Sequence, residues 1–167
     1  MSVINLYHGG EHPVKEPQSR PLMVTRSHDF GMGFYATTSL DQAKRWVQIR
    51  KRQHVYETGV VSSYVFNSDA LTGKGLKVMV FDGPTSEWFD FVMANRHDVN
   101  FTHDYDIVMG PVANDNVYET LTLFEDGIIS KDEAIVRLRT YKLVDQVFFH
   151  SEKALKFLAF VDAEEVS

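Results

Sequence analysis

Gly31-Met32-Gly33-Phe34-Tyr35-Ala36-Thr37-Thr38-Ser39-Leu40-Asp41 holds a strand signal and a helix start side by side. Residues 33–37 read as a strand, because aromatic and β-branched side chains fit a pleated sheet. Thr38 or Ser39 can cap the helix that follows, with Asp41 favourable near its positive end. That helix runs to about Gln53, since Ala43, Trp46, Val47 and Arg50 recur at i, i+3, i+4, i+7 and share one face. Gly31-x-Gly33 lacks the third glycine and the preceding strand of a dinucleotide-binding Rossmann turn, so that fold is set aside.

Working outward, residues 3–7 (VINLY), 60–66 (VVSSYVF), 76–81 (LKVMVF), 105–112 (YDIVMGPV), 146–149 and 155–161 (LKFLAFV) read as further strands. A glycine-rich turn at 72–75 separates the second and third of these. Pro84-Thr85-Ser86-Glu87 opens a helix carrying Trp88, Phe89, Phe91 and Val92. Residues 116–125 read as helix, and Ser130-Lys131-Asp132-Glu133 has the S-x-x-E capping-box pattern ahead of a helix to about Tyr141. Residues 10–30, with Pro13, Pro17 and Pro21, read as irregular loop. Strands and helices that mix without strict β-α-β alternation predict an α+β fold, and no linker or repeat divides residues 1–167 into more than one domain.

Composition narrows the function classes. The 167 residues are 44% hydrophobic and 13% aromatic, which suits one globular core. No apolar run is long enough to span a membrane, and the N-terminus lacks the basic and apolar segments of a secretion signal, so a cytoplasmic protein without membrane association is expected. The chain has no cysteine, which excludes disulfides and thiolate chemistry. A net charge of -6 argues against broad nucleic-acid binding; the local strip 45–52 (RWVQIRKR) reads as a solvated helix face. Three His-Asp pairs, His28-Asp29, His97-Asp98 and His103-Asp104, match no zinc spacing, so no metal is expected. No G-x-S-x-G elbow is present.

Three segments point to one nucleotide pocket: Leu6-Tyr7-His8-Gly9, Gly31 to Thr37, and Asp145-Gln146-Val147-Phe148-Phe149-His150. In this order they resemble the signature of the ADP-ribosyltransferase superfamily, in the His-Tyr-Glu branch of diphtheria toxin and poly-ADP-ribose polymerase. The resemblance implies two small antiparallel or mixed sheets that form an NAD cleft, with flanking helices. It implies that His8 reaches the adenosine ribose hydroxyl and that the Gly9 backbone holds the nicotinamide amide. Neutral imidazole has one donor and one acceptor for such a hydroxyl, and a glycine permits close approach of a flat ring.

The resemblance also implies that Tyr35 and the aromatic eleven residues on, Trp46, flank nicotinamide. Two aromatic walls suit a flat ring. Ala43 stands where the family has a serine that bonds the amide, so that bond should be missing. Gln146 stands in the place of the catalytic Glu, on a strand followed by a helix and a further strand. Gln can hydrogen-bond a ribose hydroxyl but has no charge for an oxocarbenium ion and no basicity for proton transfer. Chain extension into poly-ADP-ribose is therefore not expected. Asp145 and Glu152 could supply charge, but alternation turns Asp145 to the face opposite Gln146 and Glu152 falls on the helix behind.

Asp29-Phe30-Gly31-Met32-Gly33-Phe34-Tyr35, Gly110-Pro111-Val112-Ala113-Asn114-Asp115 and the 145–155 segment resemble a narrower bacterial family of undefined chemistry, whose members resemble toxins of toxin–antitoxin pairs. Asn114 or Asp115 reads as a helix cap, or as a polar wall on the acceptor side. The resemblance implies mono-ADP-ribosyl transfer to a cellular macromolecule, with catalytic residues His8, Tyr35 and Gln146, NAD contacts at His8, Gly9, Tyr35, Ala43 and Trp46, and an antitoxin protein as a partner. The alternative is an NAD-binding module of weak activity or an NAD glycohydrolase.

Overall fold

Serines set the helix starts. Ser39 Oγ accepts from Gln42 N at 3.1 Å and opens α1 (Leu40–Arg52). Ser130 Oγ accepts from Glu133 N at 3.1 Å and opens α4 (Lys131–Arg139), as its capping box predicts. Thr85 caps α2 (Ser86–His97) in the same way. A further helix, α3 (Asp115–Glu125), precedes α4. The protein was analysed as a computed structural model that describes residues 2–19, 30–72, 74–98, 101–111, 115–141 and 143–167. Pro21, the His28-Asp29 pair, and Val112, Ala113 and Asn114 of the 110–115 motif lie outside these residues.

The strands are β1 (Val3–Gly10), β2 (Phe34–Thr37), β3 (Val60–Asn67), β4 (Val78–Val80), β5 (Ile107–Pro111), β6 (Asp145–Phe149) and β7 (Leu158–Glu165). β1 is longer than its apolar run because Gly9 and Gly10 still pair with Val61 and Val60. Gly33 lies outside β2. The last strand starts later than its hydrophobic run, since Ser151 caps a short helix, α5 (Glu152–Leu155), that takes up Leu155.

The expected α+β class holds, and the sheet organisation differs from the expected pair of small sheets. The described strands form one mixed sheet in the order β4-β5-β6-β2-β1-β3-β7, antiparallel except for β4 and β5. The join between its halves is narrow. β1 pairs with β3 along its whole length, from Val3↔Asn67 to Gly10↔Val60, but meets β2 only at Tyr7↔Thr37.

Alternation along the strands sorts side chains to two faces. One face buries Leu6, Phe34, Ala36, Tyr64, Phe66, Val147 and Phe149 in a single cluster that spans both halves. The other face is divided. α1 sets Ala43 and Val47 on Val61, while α2, α3 and α4 pack Trp88, Phe89, Val92, Leu121 and Leu138 against Val108 and Phe148. Between these two helix layers lies a seam, and the pairs Tyr7↔Thr37, Thr37↔Gln146 and Tyr35↔Phe148 place Tyr7, Thr37, Gln146 and Tyr35 along it.

Candidate functional site

Past the Tyr7↔Thr37 pair, β1 and β2 part, and a side chain bridges them. His8 Nδ1–H donates to the Tyr35 main-chain carbonyl at 2.6 Å. A carbonyl only accepts, so this bond fixes the proton on Nδ1 and leaves Nε2 as an acceptor, with no partner among the described residues. The imidazole stacks on Phe34, with centroids 4.6 Å apart. Burial lowers its pKa from the usual 6.5, partly opposed by the bond to Tyr35, so at neutral pH the ring is uncharged.

Because His8 packs on Phe34, its ring lies on the opposite side of β2 from the Tyr35 ring. The Tyr35 ring rests 4.7 Å from that of Phe148. Its hydroxyl donates to the Gly31 carbonyl at 2.5 Å and accepts from Phe30 N–H at 3.2 Å. Tyr35 therefore ties the incoming chain to β2 as well as lining the seam.

Gly9 meets α1 at close range. A Cβ there would lie 2.7 Å from the Ala43 carbonyl, 2.9 Å from Val47 Cγ2 and 3.4 Å from Trp46 Cδ1. The space a side chain would take is filled by the helix, so packing of α1 on β1 is the direct reason for a glycine here. This contact brings Gly9, Ala43 and Trp46 together. Trp46 is 42% exposed, and the Arg50 guanidinium lies 4.6 Å from its ring centroid. Arg50 Nε is buried without a hydrogen-bond partner among the described residues. Lys51 donates to the Val166 carbonyl at 3.0 Å, so part of the basic strip serves the fold itself, whereas Arg45 and Arg52 are exposed.

Gln146 is 6% exposed, sits opposite Thr37 on one side and Gly110 on the other, and its amide has no hydrogen-bond partner among the described residues. Asp145 and Gln146 are adjacent on one strand and so project to opposite faces. Burial, then the charge of Asp82, raises the Asp145 pKa above its usual value. Glu152, on α5, accepts from Ser19 N and Ser19 Oγ at 2.9 and 3.0 Å and so anchors the 11–19 segment.

Residues 4–160 match the family described as Protein of unknown function (DUF3990). The chain belongs to that family. No curated protein matches it. The match covers each of the three quoted segments and so treats them as one unit of sequence.

Three contributors were not assigned these roles from the sequence. The Asp145 carbonyl accepts from Thr38 N, Thr37 Oγ1 and Thr38 Oγ1, pinning the β2–α1 junction to β6, and a carbonyl has no residue signature. His103 Nε2 contacts the Phe30 carbonyl at 2.7 Å, and His150 Nδ1 contacts the Met32 carbonyl at 2.8 Å. His150 does end the third segment, whereas His103 was marked only by its neighbour Asp104. That neighbour pairs with Lys77 at 2.7 Å, and His97 faces Glu125 at 3.2 Å. Among the described residues no group of three His, Asp or Glu could hold a metal ion. No described helix is long and apolar enough to cross a membrane.

Proposed function

We propose that this chain has the ADP-ribosyltransferase fold of the His-Tyr-Glu branch, holds NAD as substrate at the seam, and transfers one ADP-ribose to a macromolecule of the same cell. The observation that carries this reading is spatial. Segments far apart in sequence put Tyr35, Thr37 and Gln146 on one sheet face, at a point where the sheet narrows to a single pair, with Gly9, Ala43 and Trp46 in contact beside them. The narrow join supports an opening between two half-sheets, as expected for an NAD cleft.

In this reading His8 offers Nε2 to a ribose hydroxyl, and Trp46 offers a ring face once Arg50 moves aside. The nicotinamide–ribose bond breaks with its electron pair leaving on nicotinamide, and an acceptor nucleophile adds to the ribose carbon and gives up its proton. Gln146 orients the ribose by hydrogen bonding but contributes no charge to that cation. Transfer is accordingly slow and stops at one unit. A toxin held in check by an antitoxin protein in a bacterial cytoplasm is the biological setting that the motifs suggest.

A second reading is an NAD-binding module, or a glycohydrolase in which water is the acceptor. The neutral Gln146, with the Asp145 carboxyl on the other face, favours it. Incubation with labelled NAD and host lysate separates the readings. Label on protein or nucleic acid supports transfer, free nicotinamide without label supports hydrolysis, and neither product leaves binding alone.

A further inference from the structure

α1 concentrates positive charge in an acidic chain. It carries Lys44, Arg45, Arg50, Lys51 and Arg52 against the single carboxylate of Asp41, while the whole chain has a net charge of -6. Elsewhere cations are matched: Lys77 by Asp104, Arg96 by Glu125 and Lys131 by Asp90. On α1, Lys51 is spent on the Val166 carbonyl, and Lys44, Arg45 and Arg52 make no ion pair or hydrogen bond among the described residues. Glu11 does not answer them, since it accepts from Glu57 N–H and faces His12.

A solvated helix face accounts for only part of this. Cations in a last turn complement the helix dipole, which explains Arg52 but not Arg45, in the second turn. Nor does it explain Arg50, whose Nε is buried without a partner among the described residues, at a cost in stability. The Arg50 guanidinium lies 4.6 Å from the Trp46 ring centroid and 6.0 Å from that of Tyr56. Two rings thus hold a planar cation whose counter-charge no described residue supplies. Arg45 and Arg52, seven residues apart, share the solvent face of α1 at about 10 Å along its axis. Trp46 and Arg50, one turn apart, lie on the adjoining flank.

We propose that this side of α1 binds a single-stranded nucleic-acid segment, with phosphates at Arg45, Arg50 and Arg52 and a base on the stack of Trp46 and Arg50. Guanidinium forks match phosphate oxygens in pairs, and flat groups take unstacked bases of any sequence. The pairing of exposed ring and cation favours nucleic acid over an acidic protein, whose carboxylates would answer the charge and leave the rings unused. A duplex keeps its bases stacked and offers phosphates alone. Three arginine contacts make a restricted site, in keeping with a net charge that opposes broad binding. None of the three arginines is among the NAD contacts named above, so the site stands apart from that reading.

Fluorescence anisotropy of the full chain with a labelled single-stranded RNA of about twelve nucleotides, in the absence of NAD, tests this. Raising salt from about 50 to about 200 mM should weaken binding about twentyfold, the slope of three phosphate contacts. Arg45→Gln/Arg52→Gln changes two exposed side chains without partners, and should weaken binding at the lower salt about tenfold and flatten the slope to that of one contact. Arg137→Gln/Arg139→Gln removes the same charge from exposed positions on α4 and should bind as wild type does. Poly-glutamate at equal charge, and the same RNA as a duplex, should compete at least about tenfold more weakly than the single strand. No binding up to about 0.1 mM protein at the lower salt, equal loss in the two double variants, or equal competition by poly-glutamate or duplex would each overturn the proposal.

Discussion

His8 and Tyr35 are joined by one bond, from imidazole Nδ1–H to the Tyr35 carbonyl, at the point where β1 and β2 stop pairing. The bond does two things. It satisfies a backbone acceptor where the two strands part, and it selects the tautomer whose free nitrogen only accepts. A neutral, oriented imidazole where two strands part is suited to recognise a hydroxyl and unsuited to bind an anion.

The first prediction follows from the sign of the His8 shift. Folding depresses its pKa below 6.5, mainly through burial, so the unfolded chain takes up this proton first as pH falls. The stability carried by neutral His8 is complete above 6.5 and is lost progressively below it. Denaturant unfolding from about pH 8 to about pH 5 should therefore show a smaller loss of stability in His8→Gln than in wild type. Identical slopes would remove His8 as a source. In calorimetric titration, His8→Ala should weaken NAD binding by about 1–3 kcal/mol.

Gly9 gives a prediction about packing. An added Cβ would have to displace the Ala43 carbonyl or Val47, which are main chain and buried core. Gly9→Ala should cost about 1–3 kcal/mol of stability, read as a lower thermal midpoint. Gly10→Ala is the control, because its nearest neighbour would be His8 Nε2 at an ordinary 3.5 Å. A Gly9→Ala protein as stable as wild type would show that α1 is not seated on β1 as described.

Much of this fold was legible because its punctuation is local. Ser39, Thr85 and Ser130 announce helices by chemistry that acts within one turn. Strand periodicity gave the faces. The sequence could not show that β1 meets β2 at one pair only, since splaying is decided by how two helix layers share one face of the sheet. Nor could it show why Gly9 is glycine. A flat ligand and a close helix demand the same missing side chain, and only the position of Ala43 separates them. His103 was illegible for a third reason: its partners at Phe30 and Tyr105 are main-chain atoms, one of them far away in sequence.

Trp46 yields a prediction that separates binding from folding. Its ring is partly exposed, and beside its edge contact with Gly9 it carries the Arg50 guanidinium, worth about 0.5–1 kcal/mol at an exposed site. Trp46→Ala should thus shift stability by about that amount while lowering NAD affinity by roughly 0.5–1.5 kcal/mol, the value of a lost aromatic pair. Arg50→Ala should leave stability similar and uncover the ring. Wild-type NAD affinity in a folded Trp46→Ala protein would take Trp46 out of the site.

Gln146 carries the last prediction. It lies between Thr37 and Gly110, almost fully buried, with an amide that no described residue binds. If it occupies the reacting centre and limits the reaction by lacking charge, Gln146→Glu should speed nicotinamide release, since a carboxylate stabilises the developing ribose cation. Each ~1.4 kcal/mol of that stabilisation gives about tenfold in rate. The opposing effect is desolvation. A carboxylate at this depth loses most of its water, so its pKa would rise and part of it would stay protonated at neutral pH. The two effects separate by pH: release by Gln146→Glu should climb with pH as the carboxyl ionises, while wild type lacks that rise. A Gln146→Glu rate equal to wild type across the whole pH range would place residue 146 away from the chemistry.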